Sequence, residues 1–569
     1  MKRVKANRAI RLAAAFALLL VAGCAGADQL ADLSREFWVW RAANAPCTDD
    51  DVPRMERPPG WTPEWTRAAV ERRRRELAGF EARLARIDPL GMPVPWEVDR
   101  RLLRSAYARV HWELDVARGW ERDPTFYVQE TLGAVFDLLV QPPPFSKARG
   151  AEIARRLASI PGTVESAKGN LVPAEAPFAR LAIASLADVR GRLSRFAREL
   201  RPVLSPESGG TLDASVERAA SALENYREWL GNRLPGLRPQ SAVGREAYLF
   251  FLRNVALLPF TPEELLQAGR LEWARAVARE VSEKVKNAGH PPLAIVPDQA
   301  AQAARLERED AAVRRFLEER NLLTVPNWVG RFRNLPLPPY LEALRGAGEE
   351  DDLTSESRRS SDAVRYIRVP SADLDYFSVS AARDPRPLLV HEGVPGHFLQ
   401  LSLSWAHEDP IRRRYYDSSA NEGLGFYAEE MMLDAGFFED SPRTREILAS
   451  FLRLRALRVE VDVRLALGDF SIDQAAEYLA RMVPMDATTA RAEAAAFAST
   501  PGQAISYLAG KLQILGLLAE ARTRQGERFS LRAFHDYLWK NGNVPLALLR
   551  WEYLGLRDDV DKLDAAPRK

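Results

Sequence analysis

The stretch His391-Glu392-Gly393-Val394-Pro395-Gly396-His397-Phe398-Leu399-Gln400 constrains this chain more than any other. Pro387-Leu388-Leu389-Val390 leads into it, and Leu399 and Leu401 carry on the apolar run. Such flanks predict an element that passes through the interior. A His-Glu pair and a second His placed there need a partner, because polar groups away from water are costly unless compensated. A zinc ion is the simplest partner for that set. The chain has six histidines in 569 residues, so two of them within seven positions mark the stretch out further.

The spacing is unusual. Zinc peptidases commonly carry His-Glu-x-x-His on one helix, where histidines four apart share a face and the Glu activates water. His391 and His397 are six apart, which in a regular helix leaves them about 120° out of register. They converge only if the helix is distorted. Pro395 lacks the N–H that would bond the His391 carbonyl, and Gly396 permits an unusual backbone angle. A catalytic zinc with one open position needs a third ligand. The best candidate is Glu422, in Asn421-Glu422-Gly423-Leu424-Gly425-Phe426-Tyr427-Ala428-Glu429-Glu430. Glu429 falls on nearly the same helical face and would orient a ligand. Asp417 and Glu430 are weaker alternatives for the third position.

Apolar residues recur near every 3.6 positions along most of the chain, which predicts a mainly α fold. The clearest runs are 65–86, 97–116, 125–139, 262–286 and 299–320 before the motif, then 422–435, 443–467, 503–523 and 531–540 after it. The exception is roughly 362–382. Tyr366-Ile367-Arg368-Val369-Pro370 and Asp375-Tyr376-Phe377-Ser378-Val379-Ser380 are β-branched and aromatic, which predicts a short strand or hairpin beside the site. Its exposed edge would take an extended peptide by strand addition. Acidic and polar residues over 350–361 predict a loop before the catalytic half.

The N-terminus reads as an export signal. Lys2, Arg3, Lys5, Arg8 and Arg11 precede a short apolar run over 12–22, too short for an ordinary membrane span. The run ends in Val21-Ala22-Gly23-Cys24, which resembles a bacterial lipobox with Cys24 as the lipidated first residue. Ala25 after it resembles the pattern sorted to the outer membrane. The expected organisation is a signal peptide over 1–23, a lipid-anchored tether over 24–60, a helical region over 61–350 and a helical catalytic region over 351–569. Of 80 basic residues the signal carries those five and no acidic one, which leaves 75 basic against 78 acidic. Such balance implies no nucleic-acid partner. With Cys24 lipidated, Cys47 is the only free thiol and no intrachain disulfide forms.

Three blocks occur in order: His-Glu-x-x-Pro-Gly-His with Gln400, Glu-Gly-x-x-x-Tyr-Ala-Glu over 422–429, and Pro501-Gly502-Gln503-Ala504-Ile505-Ser506-Tyr507 with Gly510. Together they resemble the domain of unknown function 885 family of bacterial, often lipid-anchored proteins. Phe534-His535-Asp536 and Asn541-Gly542-x-Val544-Pro545 also resemble its C-terminal pattern. That family is similar to zinc metallopeptidases of the thermostable carboxypeptidase and oligopeptidase kind. The resemblance implies a large zincin-like multi-helical fold with His391, His397 and Glu422 as Zn2+ ligands. It implies Glu392 as general base and Tyr507 as donor to the developing oxyanion. His535, with Asp536, is a further acid/base candidate or else a packing pair at a helix. The chain departs from the family pattern at Leu424, at Arg464-Leu465-Ala466 and at Ala496-Phe497, where Trp, a Gly-x-His and an Arg-Tyr pair are expected.

Two function classes follow. The first is a zinc-dependent metallopeptidase that hydrolyses short peptides at the periplasmic face of the outer membrane, held by the lipid on Cys24. The second is a catalytically degenerate cell-envelope lipoprotein acting as a binding module. An amidase acting on cell-wall peptides is a third use of the same site.

Overall fold

The periodicity becomes helix along nearly the whole chain in a computed structural model that describes residues 28–47, 55–89, 91–205 and 212–565. The signal segment and Cys24 lie outside the described residues. The 28–44 stretch is a helix whose Leu30, Leu33 and Phe37 are buried, so the described part of the expected tether packs onto the body instead. Helices Arg67–Ala85, Val94–His111, Lys147–Asn170 and Leu212–Arg233 build the N-terminal half. Their starts follow capping chemistry: Thr66 and Ser146 accept from the N–H groups of Ala69 and Arg149.

Ten helices position the candidate site. α1 (Pro262–Lys286) starts in a capping box of Thr261 and Glu264, and α2 (Gln299–Glu319) is capped by Asp298. They are followed by α3 (Tyr376–Arg383), α4 (Arg386–Glu392), α5 (His397–Trp405), α6 (Ser418–Asp434) and α7 (Pro442–Leu467). α8 (Ala487–Ser499), α9 (Ser506–Gln525) and α10 (Leu531–Lys540) complete the set. Between α2 and α3 lies one small sheet of β1 (Phe332–Pro336), β2 (Asp351–Asp352) and β3 (Ala363–Ile367), in the order β1-β3-β2. β1 runs parallel to β3, pairing Phe332 with Ala363 and Pro336 with Ile367. β2 is antiparallel, with Asp351 opposite Arg365. The sheet joins both sides of the expected boundary at 350/351. One apolar core extends from Leu30 to Val560.

The sequence expectation over 362–382 holds in its first half only. Residues 375–380 are not an edge strand. Asp375 accepts from the Ser378 N–H at 2.9 Å and starts α3. Tyr376 then reaches Ser450 at 2.6 Å and packs on Phe451. Capping and burial on α7 outweigh the strand preference of these side chains, which is weak and context-dependent.

α6 passes through the interior with every residue from Ser418 to Leu433 buried. It crosses α9 where Gly423 meets Gly510. A Cβ on Gly510 would collide with the Ser419 carbonyl and come 2.7 Å from the Gly423 Cα. Nearby, the fully buried Lys511 of α9 is ion-paired with Glu272 of α1 and with Glu430 of α6 at 2.8 Å. Gly510→Ala is expected to lower unfolding stability by about 1–3 kcal/mol, the usual cost of overpacking. Gly516→Ala, in the same helix where an added Cβ meets nothing within 4 Å, is expected to raise it by about 0.5–1 kcal/mol. Denaturant unfolding of the two variants checks the contrast, and equal effects would count against this crossing.

Candidate metal centre

The His-Glu stretch is two helices rather than one bent helix. α4 ends at Glu392, residues 393–396 leave helical geometry, and α5 starts at His397. Gly393 has φ −99° and ψ −111°, and Gly396 has φ −71° and ψ −138°. A Cβ on Gly396 would overlap the His391 carbonyl oxygen, so only glycine lets the chain turn back this tightly. The turn is held from outside: the Trp539 indole of α10 donates to the Pro395 carbonyl at 2.6 Å. His391 thus sits in the last turn of one helix and His397 in the first turn of the next, and a fixed phase between them no longer applies.

The two imidazoles converge on Glu422. Its Oε2 lies 3.3 Å from His391 Nε2 and 3.2 Å from His397 Nε2. One ligand atom from each of the three residues falls within 4.8 Å of the others. Metal–ligand bonds of about 2.0–2.1 Å in a tetrahedron place ligand atoms about 3.3 Å apart, so the set fits zinc. All three side chains are buried, at 2–3% exposure. Gly425, one turn beyond Glu422, makes the room: a Cβ there would stand 2.9 Å from His391 Cε1 and 3.0 Å from His397 Cε1. Asp417 instead caps α6 through the Ala420 N–H, and Glu430 is tied to Lys511, so neither competes for the third position.

Behind the centre, Glu429 Oε1 lies 2.7 Å from His391 Nδ1 and 2.8 Å from Arg455 Nη2. Burial and the Arg455 charge push the His391 pKa down, but Glu422 and Glu429 outweigh them and raise it to about 9. Burial pushes the Glu422 carboxyl up, and the two histidines more than reverse that, leaving it well below the usual range. The His397 Nδ1 is buried without a hydrogen-bond partner among the described residues. Gln400 links three segments, accepting from Asn421 at 2.8 Å and donating to Asn543 at 2.9 Å.

The centre forms the floor of a cleft of about 450 Å³. Glu392 faces this cleft with its side chain about a quarter exposed, 4.0 Å from Arg365 of β3. Tyr507 also faces it, its ring stacked on His391 at a centroid distance of 6.0 Å and 14° between planes. Asp462 explains the block before Tyr507: its buried carboxylate accepts from Gly502 N at 2.9 Å and Ala504 N at 2.8 Å. Gly502 takes φ +94°, where a side chain is strained and would strike Phe251. The block therefore fixes where α9 begins and where Tyr507 stands. His535 is not brought to the cleft. It is fully buried in α10, bonded to Tyr427 Oη at 2.8 Å and the Leu322 carbonyl at 2.7 Å, and burial lowers its pKa to about 4. Asp536 accepts from Thr324 N and Oγ1.

Sequence reasoning missed Arg455 and Arg458. Arg458 lies over the Tyr507 ring, 4.6 Å from its centroid, and holds Glu493 of α8 in a two-point ion pair at 2.6 and 2.8 Å. A weak signal existed: Arg455, Arg458 and Asp462 recur at i, i+3 and i+7 and so share one face of α7.

Solved structures share this fold. One, described as "a putative lipoprotein of unknown function" from Shewanella oneidensis, matches with TM-score 0.66 at 16% identity, covering 94% of this chain and 99% of that one. Another, "the putative lipoprotein from Colwellia psychrerythraea", matches with TM-score 0.69 at 17% identity, covering 96% and 100%. No curated protein matches the chain. The family model described as "Bacterial protein of unknown function (DUF885)" matches residues 59–552, and the chain belongs to that family.

Proposed function

We propose that this protein is a zinc-dependent hydrolase of the peptidase type that cleaves short peptides in the cell envelope. The observation that carries the reading is the convergence of His391, His397 and Glu422 at ligand distances on the floor of a cleft. A zinc ion held there would supply a Lewis acid and lower the pKa of water. Glu392, next in sequence to a ligand and open to the cleft, takes the proton from the attacking water and returns it to the leaving amine. Tyr507 donates to the carbonyl oxygen as charge develops on it, a donor fixed in advance by the Asp462-anchored turn. His535 has no part in this scheme, because its ring is spent on Tyr427 and Leu322. The cleft volume suits a short extended segment better than a folded protein. A lipid on the lipobox-like Cys24 would hold the chain on a membrane, and the description of both structural neighbours as lipoproteins supports an envelope location. No described helix is long and apolar enough to cross a membrane.

Metal analysis of the purified protein is expected to give one zinc per chain. His397→Ala should lose it, while Glu392→Gln keeps it and loses hydrolysis of a peptide library by about 10²–10⁴-fold. Zinc bound without any hydrolysis in the unmutated chain would instead favour the binding-module reading. Glu429→Gln is expected to weaken zinc binding about 10–100-fold in a chelator competition, the usual effect of removing a carboxylate behind a ligand histidine. Cys24→Ala is expected to move the protein from the membrane fraction to the soluble fraction and to abolish labelling by radioactive palmitate. Unchanged fractionation would sink the lipid anchor and leave the zinc reading untouched.

A further inference from the structure

A second cavity lies outside the cleft. It measures about 520 Å³, within the range of about 300–1,000 Å³ that holds small-molecule ligands. Its wall carries several aromatic side chains, among them Trp38, Trp65, Trp112, Phe251, Trp405 and Tyr415. Gln503 touches both this cavity and the cleft, so the turn before α9 is the partition between them.

The charges on the wall do not cancel. Four arginines stand against three glutamates: Arg41, Arg109, Arg413 and Arg414 against Glu56, Glu113 and Glu356. Arg41 is paired with Glu113, and Arg413 and Arg414 both reach Glu356. Glu56 accepts from the N–H and hydroxyl of Ser357. Arg109 is left over. It is half-buried, and its contact is the face of Phe251, 5.9 Å from the ring centroid. Among the described residues its guanidinium makes no hydrogen bond or ion pair. Asp417 feels its charge but forms no ion pair with it; Asp417 Oδ1 instead accepts from the Ala420 N–H at the start of α6.

We propose that this cavity is a ligand site for a monoanionic carboxylate with an apolar body, its carboxylate on Arg109 and its body against the aromatic wall. A planar guanidinium matches a carboxylate in shape, and a single cation without an ion-pair partner suits a single negative charge rather than a phosphate dianion. The apolar body gains from leaving water. The site stands apart from the metal centre and does not rest on the hydrolase reading.

Tryptophans 38, 65, 112 and 405 on the wall make intrinsic fluorescence the readout. The full chain is titrated with decanoate and, as the uncharged control, decanol; the Glu422→Gln chain is titrated in parallel to remove carboxylate binding at the metal centre. Decanoate is expected to change the fluorescence saturably and to bind at least about tenfold tighter than decanol. It should bind equally well to Glu422→Gln and about tenfold or more weaker to Arg109→Met, the scale of a lost charge-assisted hydrogen bond. No saturable change, equal affinity for decanoate and decanol, loss of binding in Glu422→Gln, or unchanged binding in Arg109→Met would each overturn the proposal. The decanoate and decanol comparison needs no variant, so it decides the matter even where Arg109→Met does not fold.

Discussion

Two imidazoles and a carboxylate meet within 3.3 Å in the interior, and the surrounding structure answers to that meeting. Groups of this kind persist away from water only when each is compensated. The carboxylate of Glu422 lies between the histidines, and Glu429 backs His391 from the other side. Arg455 in turn neutralises Glu429. Backbone geometry follows from the same need. The turn at 393–396 breaks one helix into two so that His391 and His397 need not share a helical phase, and Gly425 leaves the space that their rings occupy.

Support spreads outward in layers of polar anchoring rather than apolar packing alone. Asp462 gathers the N–H groups of Gly502 and Ala504, which sets the start of α9 and so the place of Tyr507. Lys511, one turn further on, joins α1, α6 and α9 through Glu272 and Glu430. Buried ion pairs of this sort add little net stability against an apolar replacement, but breaking one side is expensive. Their effect here is to fix how α6 and α9 lie against each other. That alignment brings Glu422 and Tyr507 to the same cleft.

Much of this was readable in the sequence, and the failures have physical causes. The 262–286 and 531–540 runs coincide with α1 and α10, because long amphipathic periods with good caps leave little to tertiary context. The 375–380 stretch misled, since aromatic and β-branched content outvoted a capping Asp375 whose partner Ser378 was visible three residues on. Over 28–44, proximity to a lipid anchor suggested a tether, yet Leu30, Leu33 and Phe37 already carried a helical spacing. At the site, residue type and spacing brought out His391, His397 and Glu422, because few residues can ligate a metal. Arg455 and Arg458 stayed hidden, since an Arg-rich helix reads as a solvated face until its burial is known. Of the two readings of His535, the packing pair suits its buried ring, bonded to Tyr427 and the Leu322 carbonyl, because a rare residue inside a family-like block is as useful to packing as to chemistry.

Whether His391, His397 and Glu422 hold zinc is tested most directly by the X-ray absorption spectrum at the zinc edge of the protein as purified. Zinc coordinated by two imidazole nitrogens and carboxylate oxygen at about 2.0–2.1 Å is expected, with the signal lost on Glu422→Gln. A shell without imidazole, or one unchanged in that variant, would contradict it.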